Sequence, residues 1–170
     1  MDNLLLVENI LSNKQCDELI DKFSTNLNYL ELDSHLNYGF YDAVNGSCSL
    51  LDELKINLVE RYKEKFPAIN MTNDKWTVES WRFKHFPPNY CFKDWHQEHT
   101  TKYSFAIAAI LVYLSNHDCG TEFYATGEVI KSRKGRAIMF PAFWTHTHRG
   151  QLCPDQKDRY IMSAYINLLG

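Results

Sequence analysis

No apolar run in this chain is long enough to cross a bilayer. The longest, residues 105–114, is about half of the roughly 20 residues that a span requires. The short apolar start, Leu4 to Val7, has no basic flank, so neither a secretory signal nor a membrane location is expected. There is no long basic run either. With 18 Lys and Arg against 21 Asp and Glu, the formal charge of −3 argues against a nucleic-acid partner. The five cysteines, Cys16, Cys48, Cys91, Cys119 and Cys153, are odd in number and form no CxxC pair, which reads as reduced thiols in a cytoplasmic protein. No internal repeat, low-complexity stretch or Gly/Ser-rich linker divides the chain, so residues 1–170 are expected to form a single domain.

At 170 residues, that domain can bury a core without staples, and ten Tyr, ten Phe and four Trp suit a β-rich interior or a lined pocket. The first third, residues 1–75, reads as helical support. Ser12 with Gln15 makes a capping box, after which Cys16, Leu19, Ile20, Phe23 and Leu27 share one helical face. A second helix is expected from near Ser47, with Leu51, Leu54, Leu58, Tyr62 and Phe66 as its stripe and Pro67 as its stop. From Trp76 the texture changes to short strands and turns. Strands are expected over 76–86, 90–98, 104–115 and 159–168, with shorter pieces between turn signals at Gly120, Gly127 and Gly135. Helices followed by about eight strands imply a mainly β fold, a jelly-roll core over 76–170 backed by N-terminal helices.

Three stretches carry chemistry. In Trp95-His96-Gln97-Glu98, strand alternation would turn His96 and Glu98 to one side, two corners of a two-His-one-carboxylate metal triad. The second, around Thr145-His146-Thr147-His148-Arg149-Gly150, offers two histidines for the third corner. In the third, Arg159 and Ser163 lie four apart and would share a strand face. A guanidinium fork and a hydroxyl suit the distal carboxylate of a dicarboxylic keto acid.

The order of these motifs resembles the prolyl-4-hydroxylase-like branch of the 2-oxoglutarate/Fe(II) dioxygenases, especially its compact phage and marine-bacterial members. The resemblance includes Leu111-Val112-Tyr113-Leu114-Ser115, Cys119-Gly120-Thr121-Glu122-Phe123, Pro141 and the His146 to Gly150 stretch. It implies a double-stranded β-helix, with His96, Glu98 and a histidine of the HTH stretch as Fe(II) ligands. Arg159, Ser163 and Tyr113 would bind 2-oxoglutarate as co-substrate, with O₂ as oxidant and ascorbate as an optional reductant. His148 is favoured over His146 because its shorter spacing to Arg159 is nearer the family's habit. Glu98 stands where most of the family has Asp, and Ser115 where it has Asn.

The activity implied is hydroxylation of an organic substrate, a peptide or protein prolyl residue being the family-level expectation and a small molecule the other. A cupin-like metal- or ligand-binding barrel without oxygenase activity is the competing reading. Trp81, Phe92, Trp95, Phe143 and Trp144 are candidate pocket walls, and residues 38–45 a candidate substrate-facing loop.

Overall fold

The computed structural model describes residues 1–24, 30–33, 38–42, 48–71, 75–78 and 81–169. Thirteen elements follow in chain order: β1 (Leu5–Val7), α1 (Asn13–Ser24), β2 (Leu30–Asp33), β3 (Tyr38–Asp42), α2 (Ser49–Lys65), β4 (Trp76–Val78), β5 (Arg82–Phe86), β6 (Ala106–Tyr113), β7 (Gly120–Phe123), β8 (Val129–Lys131), β9 (Arg136–Pro141), β10 (His148–Gly150) and β11 (Arg159–Leu168). One antiparallel sheet runs β1-β9-β6-β11-β5-β3-β2, with β4 also pairing β11; a second runs β10-β7-β8. Two facing antiparallel sheets joined this way form a double-stranded β-helix, the expected jelly roll.

Alternation along the central strands sorts the core into two layers. On β6, Ala108, Ile110 and Val112 face the helices, while Ala109, Leu111 and Tyr113 face the second sheet. β11 does the same, with Met162, Ala164 and Ile166 on the helix side and Ile161 and Tyr165 inside. A strand buried on both faces must read as a continuous apolar run, which is what residues 105–114 are. On the helix side, Cys16 and Leu19 of α1 and Leu51, Leu54, Leu58 and Tyr62 of α2 complete the layer. Ser12 and Gln15 exchange capping bonds, Ser12 N donating to Gln15 Oε1 at 2.8 Å and Gln15 N to Ser12 Oγ at 3.2 Å. α2 begins at Ser49, after Cys48, and gives way at Pro67 to a 3₁₀ turn, Pro67–Met71. Ser47 and Leu27 lie outside the described residues.

Three expectations need correction. The first third is not helical alone: β1 pairs β9, and the β2–β3 hairpin extends the large sheet through β5. Residues 90–98 are not a strand but an irregular connection, entered past Pro87 and Pro88 and through Asn89 at φ 69°. Among the described residues, its one isolated bridge joins His96 and His148. Nor are all five cysteines reduced. Antiparallel pairing of β7 with β10 brings Cys119 and Cys153 to a Cα–Cα distance of 4.9 Å, inside bridging range, and they form a disulfide. Cys16, Cys48 and Cys91 are free. Among the described residues, no helix is long and apolar enough to cross a membrane.

Candidate active site

A narrow cavity opens between the two sheets, lined by Lys84 and Phe86 of β5, Phe92, His96 and Glu98 of the connection, Leu111 of β6, Thr121 of β7, His148 and Gly150 of β10, and Arg159 and Ile161 of β11. His96 and His148 are held by reciprocal backbone bonds, His96 N to His148 O at 3.0 Å and His148 N to His96 O at 2.9 Å. Glu98 is fixed next to them by its own N–H, which donates to Ala142 O at 3.1 Å. A single backbone bridge thus does the work expected of a strand face, gathering the two imidazoles and the carboxylate from an irregular segment.

The imidazoles are oriented by their far nitrogens. His96 Nδ1 donates to Asp94 O at 2.9 Å and His148 Nδ1 to His146 O at 3.0 Å. A carbonyl can only accept, so each Nδ1 carries the proton and each Nε2 keeps a lone pair. Both Nε2 atoms turn to Glu98 Oε1, at 3.7 Å from His96 and 3.5 Å from His148. The three candidate ligand atoms lie within 4.8 Å of one another. Burial, reinforced by neighbouring His148 and opposed by Glu98, pushes the His96 pKa down to about 4. For Glu98, burial works upward, but the facing His148 and the Lys84 charge outweigh it and hold the carboxyl down at about 2. Burial, with the Glu98 charge added, pushes the Tyr165 phenol pKa up. Two neutral imidazoles and an ionised carboxylate are what a divalent cation requires of its ligands.

His146 is elsewhere. Its Nε2 donates to Asp2 O at 2.8 Å, and its Nδ1 accepts from Thr145 Oγ1 at 3.0 Å, so both nitrogens are spent away from the cavity. Its peptide carbonyl, by contrast, orients His148.

At the other end stands Arg159, 2% exposed, its guanidinium over Phe86 with Cζ 4.8 Å from the ring centroid. Nη1 donates to Gln151 O at 3.2 Å and approaches Cys119 Sγ at 3.1 Å, whereas Nε is buried with no partner among the described residues. The Ser163 hydroxyl is likewise buried and unpartnered. Orphaned buried donors of this kind are rare in folded proteins and mark a place for an acceptor from outside the chain. Gly150 leaves room beside Arg159: a Cβ there would sit 3.2 Å from Arg159 Nη2 and 3.3 Å from Phe92 O. These features fit a carboxylate-bearing co-substrate. Tyr113 is placed behind the wall, its hydroxyl donating to Thr121 Oγ1 at 2.8 Å, so Thr121 is the residue presented to the cavity.

Of the five aromatic wall candidates, Phe92 lines the cavity and packs on His96, ring centroids 3.9 Å apart. Trp81 belongs to the helix layer, where its indole donates to Leu51 O at 3.1 Å. Trp95 lies outside, under the Arg149 guanidinium at 4.3 Å and against Tyr124. Phe143 and Trp144 are exposed. Residues 38–42 form β3, and 43–45 lie outside the described residues. Sequence reasoning missed Lys84, Phe86, Thr121 and Gly150. Alternation on β5 was the available signal for the first two, given the register of β5 against β11.

No protein-family model and no curated protein matches this chain. Solved structures do. Over 99% of this chain and 97% of the other, it superposes on a viral collagen prolyl hydroxylase from Paramecium bursaria Chlorella virus-1, in its complex with 2OG, with a TM-score of 0.73 and 18% identity. A Pseudomonas putida prolyl-4-hydroxylase matches with a TM-score of 0.78 and 11% identity, over 99% and 94% of the two chains. A prolyl hydroxylase from Trichoplax adhaerens, in complex with a hypoxia-inducible-factor peptide fragment, gives 0.72 and 12% over 98% and 84%. The chain has the prolyl hydroxylase fold.

Proposed function

We propose that the protein is an Fe(II)- and 2-oxoglutarate-dependent oxygenase that hydroxylates an organic substrate. The observation that carries this reading is one cavity with two poles. Three preoriented ligand atoms from His96, Glu98 and His148 face it at one end, and Arg159, with Nε unpartnered among the described residues, stands at the other. In the reaction, substrate, 2-oxoglutarate and O₂ give hydroxylated substrate, succinate and CO₂. Bound iron would supply the O₂ activation.

The chain's own residues place and shield. His96, Glu98 and His148 would hold the ion on one face, leaving its remaining positions open to the cavity. Arg159 would receive the distal carboxylate, with Thr121 as the neighbouring cavity hydroxyl, whereas Ser163, four residues further along β11 and opposite Arg82, is outside the cavity lining. Phe86, Phe92, Leu111 and Ile161 keep water from this end, so a carboxylate–guanidinium bond there is stronger than in bulk. The carbonyls of Asp94 and His146 keep the imidazoles in the ligating tautomer. A peptidyl proline is the substrate class suggested by the structures that share the fold.

Anaerobic titration of the purified protein with Fe(II) and then 2-oxoglutarate tests this reading: a visible metal-to-ligand charge-transfer band is expected. On admission of air with ascorbate, slow succinate release should follow even without substrate. Arg159→Ala should weaken 2-oxoglutarate by about 10- to 100-fold, the worth of a buried charge-assisted bond, with iron retained. Metal binding with neither band nor succinate would favour the metal-binding barrel instead.

A further inference from the structure

Lys84 has no part in the reading above, yet it lines the same cavity. β5 turns Arg82, Lys84 and Phe86 to one side, and Lys84 sits opposite Ile161, one step along the ribbon from the Phe86–Arg159 pair. It shares that cavity with Glu98 and His96, and its charge acts on both. Among the described residues no side chain or carbonyl hydrogen-bonds to it. Arg82, the other cation on that face, is engaged by Tyr103 and Tyr165, with ring centroids 5.3 and 4.7 Å from its Cζ. A lysine directed into a cavity walled by Phe86, Phe92, Leu111 and Ile161 is costly unless an anion meets it. Glu98 is that anion only while it has no other cation to serve. Once a divalent ion takes up the Glu98 charge, Lys84 is left facing excess positive charge, and a further anion is required.

We infer that Lys84 is a second carboxylate-binding cation, and that Lys84 and Arg159 clamp opposite ends of one dicarboxylic acid. This rests on the co-substrate reading above and adds a residue that recognises the near, metal-side carboxylate. The scale is right. Lys84 and Arg159 are diagonal neighbours on adjacent strands, about 7–8 Å apart at the backbone, and both side chains are long enough to meet the two ends of an extended five-carbon acid, whose terminal carbons are about 5 Å apart. The pocket therefore selects its acid by two charges at fixed separation, in addition to what the metal contributes.

Calorimetric titration of the anaerobic Fe(II)-loaded protein, in which the metal has taken up the Glu98 charge, tests the clamp without turnover. The probes are glutarate, which has both carboxylates and no keto group, and pentanoate, which has one carboxylate; 2-oxoglutarate is titrated in parallel. Wild type should bind glutarate at least about 10-fold more tightly than pentanoate. Lys84→Met should remove most of that preference and weaken 2-oxoglutarate by about 10-fold, with iron content unchanged, and Lys84→Arg should restore part of the loss. Equal binding of glutarate and pentanoate by wild type, a comparison that needs no variant to fold, overturns the clamp. So does a Lys84→Met protein that binds 2-oxoglutarate within twofold of wild type, and in that case the oxygenase reading stands. If wild type binds no 2-oxoglutarate at all, both fall.

Discussion

His96 Nε2, Glu98 Oε1 and His148 Nε2 meet beside a cavity with their lone pairs uncommitted. His117, Cys153 and Asp155 form a second cluster whose ligand-type atoms are just as close, within 4.8 Å of one another. There every atom is already in use. His117 Nδ1 donates to Asp155 Oδ2 at 2.9 Å, and its Nε2 accepts from the Ser115 hydroxyl at 2.9 Å. That hydroxyl oxygen in turn accepts the Tyr160 N–H at 3.0 Å, and Cys153 is bonded to Cys119. Residue type and proximity are alike in the two places. What differs is where the far nitrogen of each histidine goes: to a carbonyl at His96 and His148, freeing the near one, and to a carboxylate at His117, with the near nitrogen taken by a serine. A metal site is legible in spare donor capacity rather than in a count of ligand-type residues.

The contrast predicts one metal ion per chain, and the largest effect should come from the open cluster. His148→Ala and Glu98→Ala should each lower Fe(II) affinity by more than about 100-fold, beyond what loss of an outer hydrogen-bond partner costs. His146→Ala and His117→Ala should still load one equivalent, measured as metal content after desalting. A His146→Ala protein without metal would show that the wrong histidine has been placed at the site.

The disulfide comes next. It closes a separation of 34 residues, for which chain entropy gives about 3–4 kcal/mol of stabilisation. Cys153→Ala, or mild reduction, should lower unfolding stability by up to that amount, read from denaturant curves, and leave metal loading at one. A second equivalent appearing on reduction would break the comparison, because it would mean that the bond alone had closed the second cluster.

How much of this was legible follows the range of each interaction. The capping bonds of Ser12 and Gln15, the Leu51-Leu54-Leu58-Tyr62 stripe and the buried strand at 106–113 are fixed by residues within a turn or two, and they read directly. The motif order placed His96, Glu98, His148 and Arg159 in one reading, and the fold brings all four to one cavity. What did not read were the long-range pairings. The addition of β1 to β9, the bridge between His96 and His148 and the approach of Cys119 to Cys153 depend on sheet register that no local pattern encodes. Tyr113 illustrates the same limit: it faces inward as alternation requires, but its hydroxyl is taken by Thr121, a partner on another strand.

Acidification should separate the clusters by pH window. The His96 pKa is held at about 4 in the folded protein, mainly by burial, against an ordinary 6.5. Between those values the unfolded chain binds a proton that the folded site refuses, so stability falls as pH drops from about 6.5 to 4, by at most about 3 kcal/mol. At Asp155, burial raises the pKa but the His117 hydrogen bond outweighs it, so the net shift is downward. Its contribution is present above the ordinary carboxylate value and is lost only as pH falls below that value. Denaturant unfolding of metal-free protein at pH 7 and 4.5 should therefore show a steeper loss for wild type than for His96→Gln, and no such difference between wild type and Asp155→Asn. Parallel losses in all three proteins would assign the acid limb to other groups.

The smallest effect is expected from Asp155→Asn, and it is the sharpest comparison because Glu98→Gln makes the same chemical change at the open cluster. Asparagine keeps an oxygen that can accept from His117 Nδ1, so the hydrogen bond survives and only its charge assistance is lost. A bond to a charged group contributes about 1.5–3 kcal/mol and a neutral one about 0.5–1.5, so the cost should be near 1 kcal/mol in unfolding free energy. Because the side chain of His117 is 1% exposed and that of Asp155 17%, solvent screens the pair little and the loss should be measurable. Metal affinity should not change, since nothing in this cluster reaches the cavity. Glu98→Gln, also isosteric, removes the one anionic ligand and should cost metal affinity first. Should Asp155→Asn weaken Fe(II) as much as Glu98→Gln does, the two clusters are coupled, and the division between an open and a closed site does not hold.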